Sequence, residues 1–237
     1  MKRIANNIIG SGFLANQFKN HLKLINKLNL CIYASGVSNS LCKNKLEFNR
    51  DYKGIKEFVK SIGNKKLVYI SSCSVFDPNR NKSSYIKNKI KIEEFIKKNF
   101  KYYVILRFPE IIGKNNNRNT LLNFLFYNIS NSIKFTAYLN AKRNILDVDD
   151  AIKLSFFFFK FKKEVKEINI INSKFFYVSS IIKCIEGVLG IKALYLKKKV
   201  KFANWKIKGS NNNNILKKAK IKFTKKYLLK IIKKYYI

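Results

Sequence analysis

Three side chains in the first half of the sequence are suited to moving a proton. Ser71 and Ser72 end a predicted strand, Tyr85 comes thirteen residues after Ser72, and Lys89 follows four residues later in a helix predicted over residues 84–99. Residues four apart share a helix face, so the Lys89 ammonium can lie near the Tyr85 phenol. A nearby cation favours the ionised form of a phenol, so Tyr85 could exchange a proton with a substrate hydroxyl near neutral pH. A serine hydroxyl could hydrogen-bond the same oxygen.

The Tyr-Lys spacing alone means little in a chain this rich in lysine. With 13 tyrosines in 237 residues, chance predicts roughly two or three such pairs, and four occur, at Tyr52, Tyr85, Tyr138 and Tyr195. Only Tyr85 follows a predicted strand that ends in serines. This context selects Tyr85 as the candidate acid or base.

A glycine turn near the start of the chain is suited to binding a phosphate. Residues 10–15 read Gly-Ser-Gly-Phe-Leu-Ala, the form GxGxxA, between a strand predicted over residues 4–9 and a helix. In this context Gly10 permits a tight turn, Gly12 lets the backbone approach a pyrophosphate, and small Ala15 lets the helix pack on the strand. On this motif alone, a purely structural turn stays open.

Strand and helix patterns alternate up to residue 108. Predicted strands cover residues 4–9, 28–34, 66–71 and 102–108, and the helices between them include residues 13–25, 55–62 and 84–99. Alternation of this kind predicts an α/β fold with a doubly wound, Rossmann-like parallel sheet. Further on, helices are predicted over residues 120–129, 149–159, 178–189 and 224–236, and strands over residues 134–139, 144–148 and 167–171, the last returning to the sheet. Asp149 and Asp150 are expected to cap the helix that they begin.

These segments resemble the extended short-chain dehydrogenase/reductase superfamily, and within it the NAD-dependent epimerase/dehydratase family that modifies nucleotide sugars. Residues 69–76 resemble the family's strand ending in Ser-Ser before a Val-Tyr pair, and Tyr85 with Lys89 resembles its YxxxK motif. Residues 104–113 resemble its LRxxNVYG segment, and residues 143–150 resemble its RDFIHVDD segment. Together the matches span residues 4–150.

The resemblance implies NAD or NADP as cofactor and a nucleotide-activated sugar as substrate. Ser72, Tyr85 and Lys89 would be catalytic, with Ser71 as the alternative hydroxyl, and Lys89 would also reach the nicotinamide ribose. The implied cofactor-binding residues are Gly10, Ser11, Gly12, Phe13, Leu14, Ala34, Ser35, Gly36, Ser71, Lys89 and Pro109. The implied substrate-binding residues are Ser72, Cys73, Glu110 and Arg143. Arg143 would meet the nucleotide diphosphate as a bidentate guanidinium. Its other interpretation is a salt bridge between lobe and core with a nearby aspartate.

The resemblance also assigns the two parts of the chain. Residues 1–108 would form the NAD(P)-binding core, and residues 109–237 a substrate-binding lobe with elements returning to that core, the whole being one compact unit.

The stretch after the glycine turn departs from the family. Between Ala15 and the strand at residue 29 there is room for one helix only, and no acidic residue occurs before Glu47, so the usual ribose-binding acid is missing. Residues 33–36 resemble the family's fourth strand, which suggests that its second and third strands have been cut out and that the adenosine end is exposed. Alternatively, residues 29–35 are an ordinary second strand, with Ser35 placed to tolerate the phosphate of NADP.

Smaller departures affect the substrate site. The loop from Ser72 to Tyr85 is short, Glu110 stands where the family usually has Asn, and Asp147 stands where it usually has His. Glu93, one turn beyond Lys89, is expected to pair with that lysine and to have no catalytic role.

The charge of +37 by itself would indicate a nucleic-acid or membrane-surface protein. Its basic residues, however, are overwhelmingly lysines spread along the chain, with only six arginines, which indicates compositional drift rather than a dedicated nucleic-acid interface. The exception is residues 192–237, which hold sixteen lysines and could attract polyanions. Four cysteines without metal-binding spacing indicate free thiols and no metal site. We expect no membrane span and a cytoplasmic protein.

The resemblance implies an NAD(P)-dependent nucleotide-sugar oxidoreductase or epimerase, with a 4-keto sugar reductase favoured, in the biosynthesis of surface polysaccharide. A homodimer stays open, and no specific nucleic-acid partner is expected. The alternative is a non-catalytic protein that binds NAD(P) in a regulatory role, or one that binds RNA or an anionic surface.

Overall fold

A computed structural model of the chain describes residues 7–115, 117–203 and 205–237. It divides into two compact units. The first comprises the described residues up to Phe108 together with Ile152–Ile170, and the second comprises Pro109–Ala151 and Ile171–Ile237. Residues 4–6 of the first predicted strand lie outside the described residues.

The first unit alternates strands with helices. Its strands are β1 (Ile8–Ile9), β2 (Leu30–Tyr33), β3 (Lys66–Ser72), β4 (Tyr103–Phe108) and β8 (Glu167–Asn169). Its helices are α1 (Phe13–Lys19), α2 (Leu22–Lys27), α3 (Lys45–Val59) and α4 (Ser84–Asn99), and a 3₁₀ turn covers Cys73–Phe76. Helix α6 (Val148–Phe161) starts in the second unit and continues in the first. The single helix predicted after Ala15 is therefore two short ones.

The five strands form one parallel sheet in the order β1-β2-β3-β4-β8. In a conventional dinucleotide-binding sheet the order is 3-2-1-4-5-6, so the second strand lies on the far side of the first from the fourth. Here β2 lies between β1 and β3, which is the position of a fourth strand. The fold therefore lacks the usual second and third strands in its described part, and the interpretation of residues 29–35 as an ordinary second strand is wrong. The predicted return of residues 167–171 is confirmed by the pairing of β8 with β4.

Helices cover both faces of this sheet. Alternate strand residues, among them Tyr33, Tyr69 and Ile105, form one buried cluster with Ile55 of α3 and Ile92 of α4. On the other face, Phe18 of α1 and Phe156 of α6 meet edge to face, with ring centroids 6.1 Å apart. Since residues two apart in a strand share a face, this division is the doubly wound arrangement that the apolar strands predicted.

The second unit holds the remaining elements. Its strands are β5 (Glu110–Ile112), β6 (Phe135–Tyr138), β7 (Lys142–Asp147), β9 (Phe175–Tyr177) and β10 (Tyr195–Lys198). Its helices are α5 (Leu121–Ser130), α7 (Val178–Leu189), α8 (Asn213–Lys218) and α9 (Tyr227–Tyr236). The strands form a sheet of order β5-β7-β9 and a parallel pair of β6 with β10.

The C-terminal helix α9 is part of the folded second unit. The Tyr227 hydroxyl donates to Asp150 Oδ2 at 2.7 Å, and Lys234 Nζ lies 2.9 Å from Asp147 Oδ2 and 2.6 Å from Asp149 Oδ2. Partial burial would lower the pKa of Lys234, but its hydrogen bonds to these acids outweigh that effect and raise it. This end of the lysine-rich segment is therefore packed into the unit. The predicted cap of α6 is corrected, because Asp147 Oδ1 accepts the Asp149 backbone N–H at 2.9 Å.

The four cysteines are free thiols. Within the described ranges, the helices are too short or too polar to cross a membrane. The same part of the chain holds no group of three or more His, Cys, Asp or Glu residues that could bind a metal ion.

Candidate active site

The glycine turn joins β1 to α1. Gly10 has a φ of +130°, and a Cβ there would stand 2.5 Å from the Ala34 carbonyl oxygen and 3.1 Å from the Ala15 Cβ, so only glycine fits. At Gly12 the opposite holds, since no heavy atom of the described residues lies within 4 Å of an added Cβ. Gly12 and Ser11 are exposed, and Phe13 and Leu14 are half-buried. The turn is thus rigid at Gly10 and open at Gly12, which fits the close approach of a cofactor.

Tyr85 and Lys89 come together on the buried face of α4. Lys89 is 4% exposed, and its Nζ lies 5.7 Å from the centroid of the Tyr85 ring and 3.3 Å from the Tyr69 hydroxyl. Burial raises the pKa of Tyr69 far above its ordinary value, and the charge of Asp51 adds to the shift. Tyr69 is therefore poorly suited to proton exchange, and its hydroxyl serves as a hydrogen-bond partner of Lys89.

The serines at the end of β3 have different roles. Ser71 is buried, and its hydroxyl donates to Glu93 Oε1 at 2.6 Å, so it is bound within the protein. Ser72 is half-buried, and its Oγ accepts the Ser74 backbone N–H at 3.1 Å, which fixes it at the start of the 3₁₀ turn. Of the two candidate hydroxyls, Ser72 is the more accessible. Cys73 was expected to bind the substrate, but it is only 1% exposed, so its side chain is not accessible to a substrate.

The loop after β2 lies beside Lys89. A Cβ on Gly36 would stand 2.6 Å from Lys89 Nζ and 3.2 Å from Asp51 Oδ2. Ala34 is half-buried beside the Gly10 turn, and Ser35 is exposed. The structure thus brings the loop, the lysine and an unpredicted acid together at the carboxyl edge of the sheet, where ligands of open α/β sheets bind.

Glu110 and Arg143 meet in the second unit. Glu110 begins β5, Arg143 lies on the neighbouring strand β7, and Arg143 Nε is 3.8 Å from Glu110 Oε1. Both side chains are partly exposed, and Arg143 Nη1 also donates to the Lys142 carbonyl oxygen at 3.2 Å. The predicted alternative partner, an aspartate, is wrong because this ion pair joins Arg143 to a glutamate. Pro109 directly precedes β5 and is half-buried.

Solved structures similar to this chain include two UDP-sugar 4-epimerases and a protein complexed with NADPH. RMD from Pseudomonas aeruginosa, complexed with NADPH, has a TM-score of 0.69 at 13% identity, with 95% of each chain covered. UDP-glucuronic acid 4-epimerase from Bacillus cereus, in complex with UDP-glucuronic acid and NAD, has a TM-score of 0.67 at 18% identity, covering 95% of this chain and 87% of the other. UDP-N-acetylglucosamine 4-epimerase from Bacillus cereus has a TM-score of 0.69 at 18% identity, covering 96% and 93%.

The chain has the Rossmann-like fold of these solved structures. The TM-scores show this fold at sequence identities of 13% to 18%. No protein-family model and no curated protein sequence matches the chain.

Within this Rossmann-like fold, Glu93 belongs to an ionic network whose centre is buried. Arg107 Nε donates to Glu93 Oε1 at 2.9 Å, and Arg107 Nη2 lies 2.7 Å from Glu167 Oε2. Lys97 Nζ adds a contact of 2.7 Å to Glu167 Oε1. The expected pairing of Glu93 with Lys89 is therefore wrong. Glu93 bonds Arg107 of β4 and Ser71 of β3, and Glu167 of β8 joins through Arg107, so the network ties α4 to three strands.

The network shifts the pKa values of two of its members. Burial alone would lower the pKa of Arg107, but Glu93 and Glu167 outweigh it and raise that pKa. Partial burial would raise the pKa of Glu167, but hydrogen bonds from Lys97 and Arg107 lower it below its ordinary value.

Glu167 should therefore stabilise the fold in a pH-dependent way. A carboxyl whose pKa is lowered by folding stabilises above its unfolded pKa, near 4.3, and that contribution disappears as pH falls through the folded pKa. Its side chain is 41% exposed, so solvent screening limits the effect to about 1 kcal/mol. Urea unfolding should find Glu167→Gln less stable than the native chain at about pH 7 and equal to it at about pH 2. An equal difference at both pH values would contradict this account.

Gly12 offers a test of the cofactor seat. Because Gly12→Ala meets no described atom, the fold should be kept, while an added methyl group where the backbone must approach a pyrophosphate should weaken NAD(P) binding by about tenfold or more. Gly10→Ala is the contrasting variant, expected to lower the free energy of unfolding by about 3 kcal/mol through its strained φ and its clash with Ala34. Calorimetric titration and urea unfolding measure the two effects. Undiminished cofactor affinity in Gly12→Ala would argue against the seat.

Asp51 was not predicted, although the sequence carries a signal for it. It stands between Phe48 and Ile55 on the apolar stripe of α3, at helical spacing from both, where a buried side chain is expected. Glu93 stands likewise on the buried face of α4. An acid on an apolar stripe must find a partner, so such positions identify candidate site residues.

Proposed function

We propose that the chain is an NAD(P)-dependent enzyme that transfers hydride at a sugar carbon of a nucleotide-linked sugar, with reduction of a 4-keto sugar as the favoured reaction. The observation that carries the proposal is the convergence of Tyr85 and Lys89 on the buried face of α4, beside Gly36. RMD, solved with NADPH, and UDP-glucuronic acid 4-epimerase, solved with NAD and UDP-glucuronic acid, support the cofactor and the class of substrate.

The residues of this chain have distinct tasks in the proposed reaction. Lys89 holds positive charge beside Tyr85 and so favours loss of the phenolic proton to a substrate oxygen. Ser72 donates a hydrogen bond to that oxygen as negative charge develops on it. The nicotinamide, when bound, supplies the hydride. Reduction thus adds one hydride to the carbonyl carbon and one proton to its oxygen, giving an alcohol and oxidised cofactor.

The cofactor seat is proposed at the turn of Gly10, Ser11, Gly12, Phe13 and Leu14, with Ala34, Ser35 and Gly36 along the same sheet edge. We propose that Ser71, which is buried beneath this edge, and Pro109, which directly follows β4, hold the backbone around the cofactor in place. Strand β1 is at the edge of the described sheet, so no described strand beyond it supplies an acid to the adenosine ribose. The proposal therefore covers NAD and NADP alike.

The second unit is proposed to bind the sugar nucleotide. Arg143 would neutralise the diphosphate through a bidentate contact, and Glu110, its ion-pair partner, would orient the guanidinium. We further propose that the protein works in the cytoplasm, where nucleotide sugars and nicotinamide cofactors are available, and that its product serves surface polysaccharide.

One assay tests the reaction class and the cofactor together. Purified protein is mixed with NADH or NADPH and a panel of 4-keto nucleotide sugars, and the absorbance of the reduced nicotinamide is followed. Oxidation that depends on both substrate and protein would support the reductase. Tightly bound NAD in the purified protein, with interconversion of epimers and no net oxidation, would favour an epimerase instead. The proposal would be overturned if the protein showed no turnover and held no cofactor.

A further inference from the structure

Asp51 is a buried acid to which the proposed reaction assigns no role. It is 3% exposed, and its Oδ2 accepts hydrogen bonds from the Val37 backbone N–H at 3.3 Å and from Asn88 Nδ2 at 3.0 Å. Its other oxygen, Oδ1, is buried without a hydrogen-bond partner among the described residues. A carboxylate oxygen is costly to bury in this way, so a free one calls for a specific explanation.

The free oxygen and the Lys89 ammonium lie on the same side of Gly36, although they do not form a direct ion pair. A Cβ on Gly36 would stand 2.6 Å from Lys89 Nζ and 3.4 Å from Asp51 Oδ1, so the opposite charges surround one point. An ammonium has three donors, and the Tyr69 hydroxyl accepts from Lys89 at 3.3 Å. The remaining donors of the lysine and the free acceptor of the aspartate are therefore complementary in charge and in hydrogen bonding.

We propose that Asp51 is a positioning residue whose carboxylate holds the Lys89 ammonium at Gly36. The two groups lie beyond the distance of a direct ion pair, but both side chains are buried, and opposite charges still attract across such a gap where water is excluded. Asp51 acts only through the lysine, because its own oxygens lie beneath the loop after β2. The effect on turnover rests on the proposed function, whereas the effect on the lysine can be measured without it.

A structural role limited to Val37 and Asn88 is the competing explanation, and Asp51→Asn separates the two. The asparagine has nearly the same shape, and its carbonyl oxygen can still accept the Val37 N–H, but the negative charge is gone. Glu57→Gln is the matched control, because it removes an exposed carboxylate from the same helix.

The first measurement is the side-chain ¹⁵N–¹H signal of the Lys89 ammonium in the cofactor-free protein, assigned by its loss in Lys89→Arg. We expect a resolved signal in the native chain and in Glu57→Gln. In Asp51→Asn it should disappear through faster exchange or move by more than its linewidth. A signal unchanged by Asp51→Asn would overturn the inference, whatever the protein's activity.

The second measurement is turnover with the cofactor and substrate found by the panel assay. Asp51→Asn should lower kcat about tenfold, whereas Glu57→Gln should leave it within about twofold, because only the first variant displaces the lysine. An unchanged kcat would count against the inference. If the native chain neither binds nor oxidises a nicotinamide cofactor, the proposed function fails, and the Lys89 signal still decides the role of Asp51.

Gly36→Ala provides a second route if Asp51→Asn does not fold. Its methyl group would press on the flexible end of Lys89, so the fold should survive while the ammonium moves away from Asp51. The same change in the Lys89 signal is expected. A signal at its native position in Gly36→Ala would contradict the placement of the lysine on which the inference depends.

Discussion

Tyr85→Phe is expected to lower kcat by about 10²- to 10⁴-fold, the usual contribution of a positioned acid or base. The variant keeps the ring that lies beneath Lys89 and loses only the hydroxyl that would exchange the proton. Folding and cofactor affinity should therefore change little. Steady-state kinetics with the substrate from the panel assay, together with a cofactor titration, measure both quantities.

Tyr52→Phe is the matched control for this variant. Tyr52 also has a lysine four residues on, Lys56, and it lies in a helix, but its ring packs against Phe95, with centroids 5.6 Å apart. Its kcat should stay within about twofold of the native value. Equal losses in Tyr52→Phe and Tyr85→Phe would mean that the substitution acts through the fold. An undiminished kcat in Tyr85→Phe would remove the phenol from the reaction.

Arg107→Met is expected to lower the free energy of unfolding by about 3–5 kcal/mol, the usual cost of breaking a buried ion pair. The Arg107 and Glu93 side chains are only 5% and 6% exposed, so removal of the arginine leaves a buried carboxylate without its cation. The loss should appear as a lower urea midpoint with an unchanged slope. Because the network ties α4 to three strands, the loss of stability should be seen in the cooperative unfolding of the first unit.

Two companion variants test the cause of that loss. Lys53→Met breaks an exposed pair with Glu57, whose charged groups are 3.9 Å apart, and should cost less than about 1 kcal/mol. Arg107→Met combined with Glu93→Leu removes both buried charges and should regain most of the stability that the single variant loses. A double variant less stable than Arg107→Met would show that packing, rather than an uncompensated charge, causes the loss.

Local patterns predicted much of the fold. Helix α4 has the predicted bounds, residues 84–99, and α7 has the bounds predicted at 178–189, because both have strong helical periodicity in their apolar residues. The short strands β5, β9 and β10 were missed. Strand β10 reads Tyr-Leu-Lys-Lys and is mostly exposed, so it has no apolar alternation, and it exists through its pairing with the distant strand β6.

Predictions for the site depended on whether the partners were local in sequence. Tyr85 and Lys89 were paired correctly, because their contact follows from helical spacing. Glu93 was assigned to Lys89 by the same rule, but its partners are Arg107 and Ser71. Both lie on strands, and only the tertiary structure brings those strands next to α4. The loss of two strands was inferred from a missing acid and a shortened segment, and it could be separated from its alternative only by the order of strands in the sheet.

The central claim is that a nicotinamide cofactor binds at the Gly10–Gly12 turn, within reach of Tyr85 and Lys89. Calorimetric titration of the native chain, Tyr85→Phe and Gly12→Ala with NAD, NADH, NADP and NADPH tests it most directly. The account predicts saturable binding of at least one of these by the native chain and Tyr85→Phe, and binding about tenfold or more weaker by Gly12→Ala. A native chain, free of bound cofactor, that binds none of the four would contradict it.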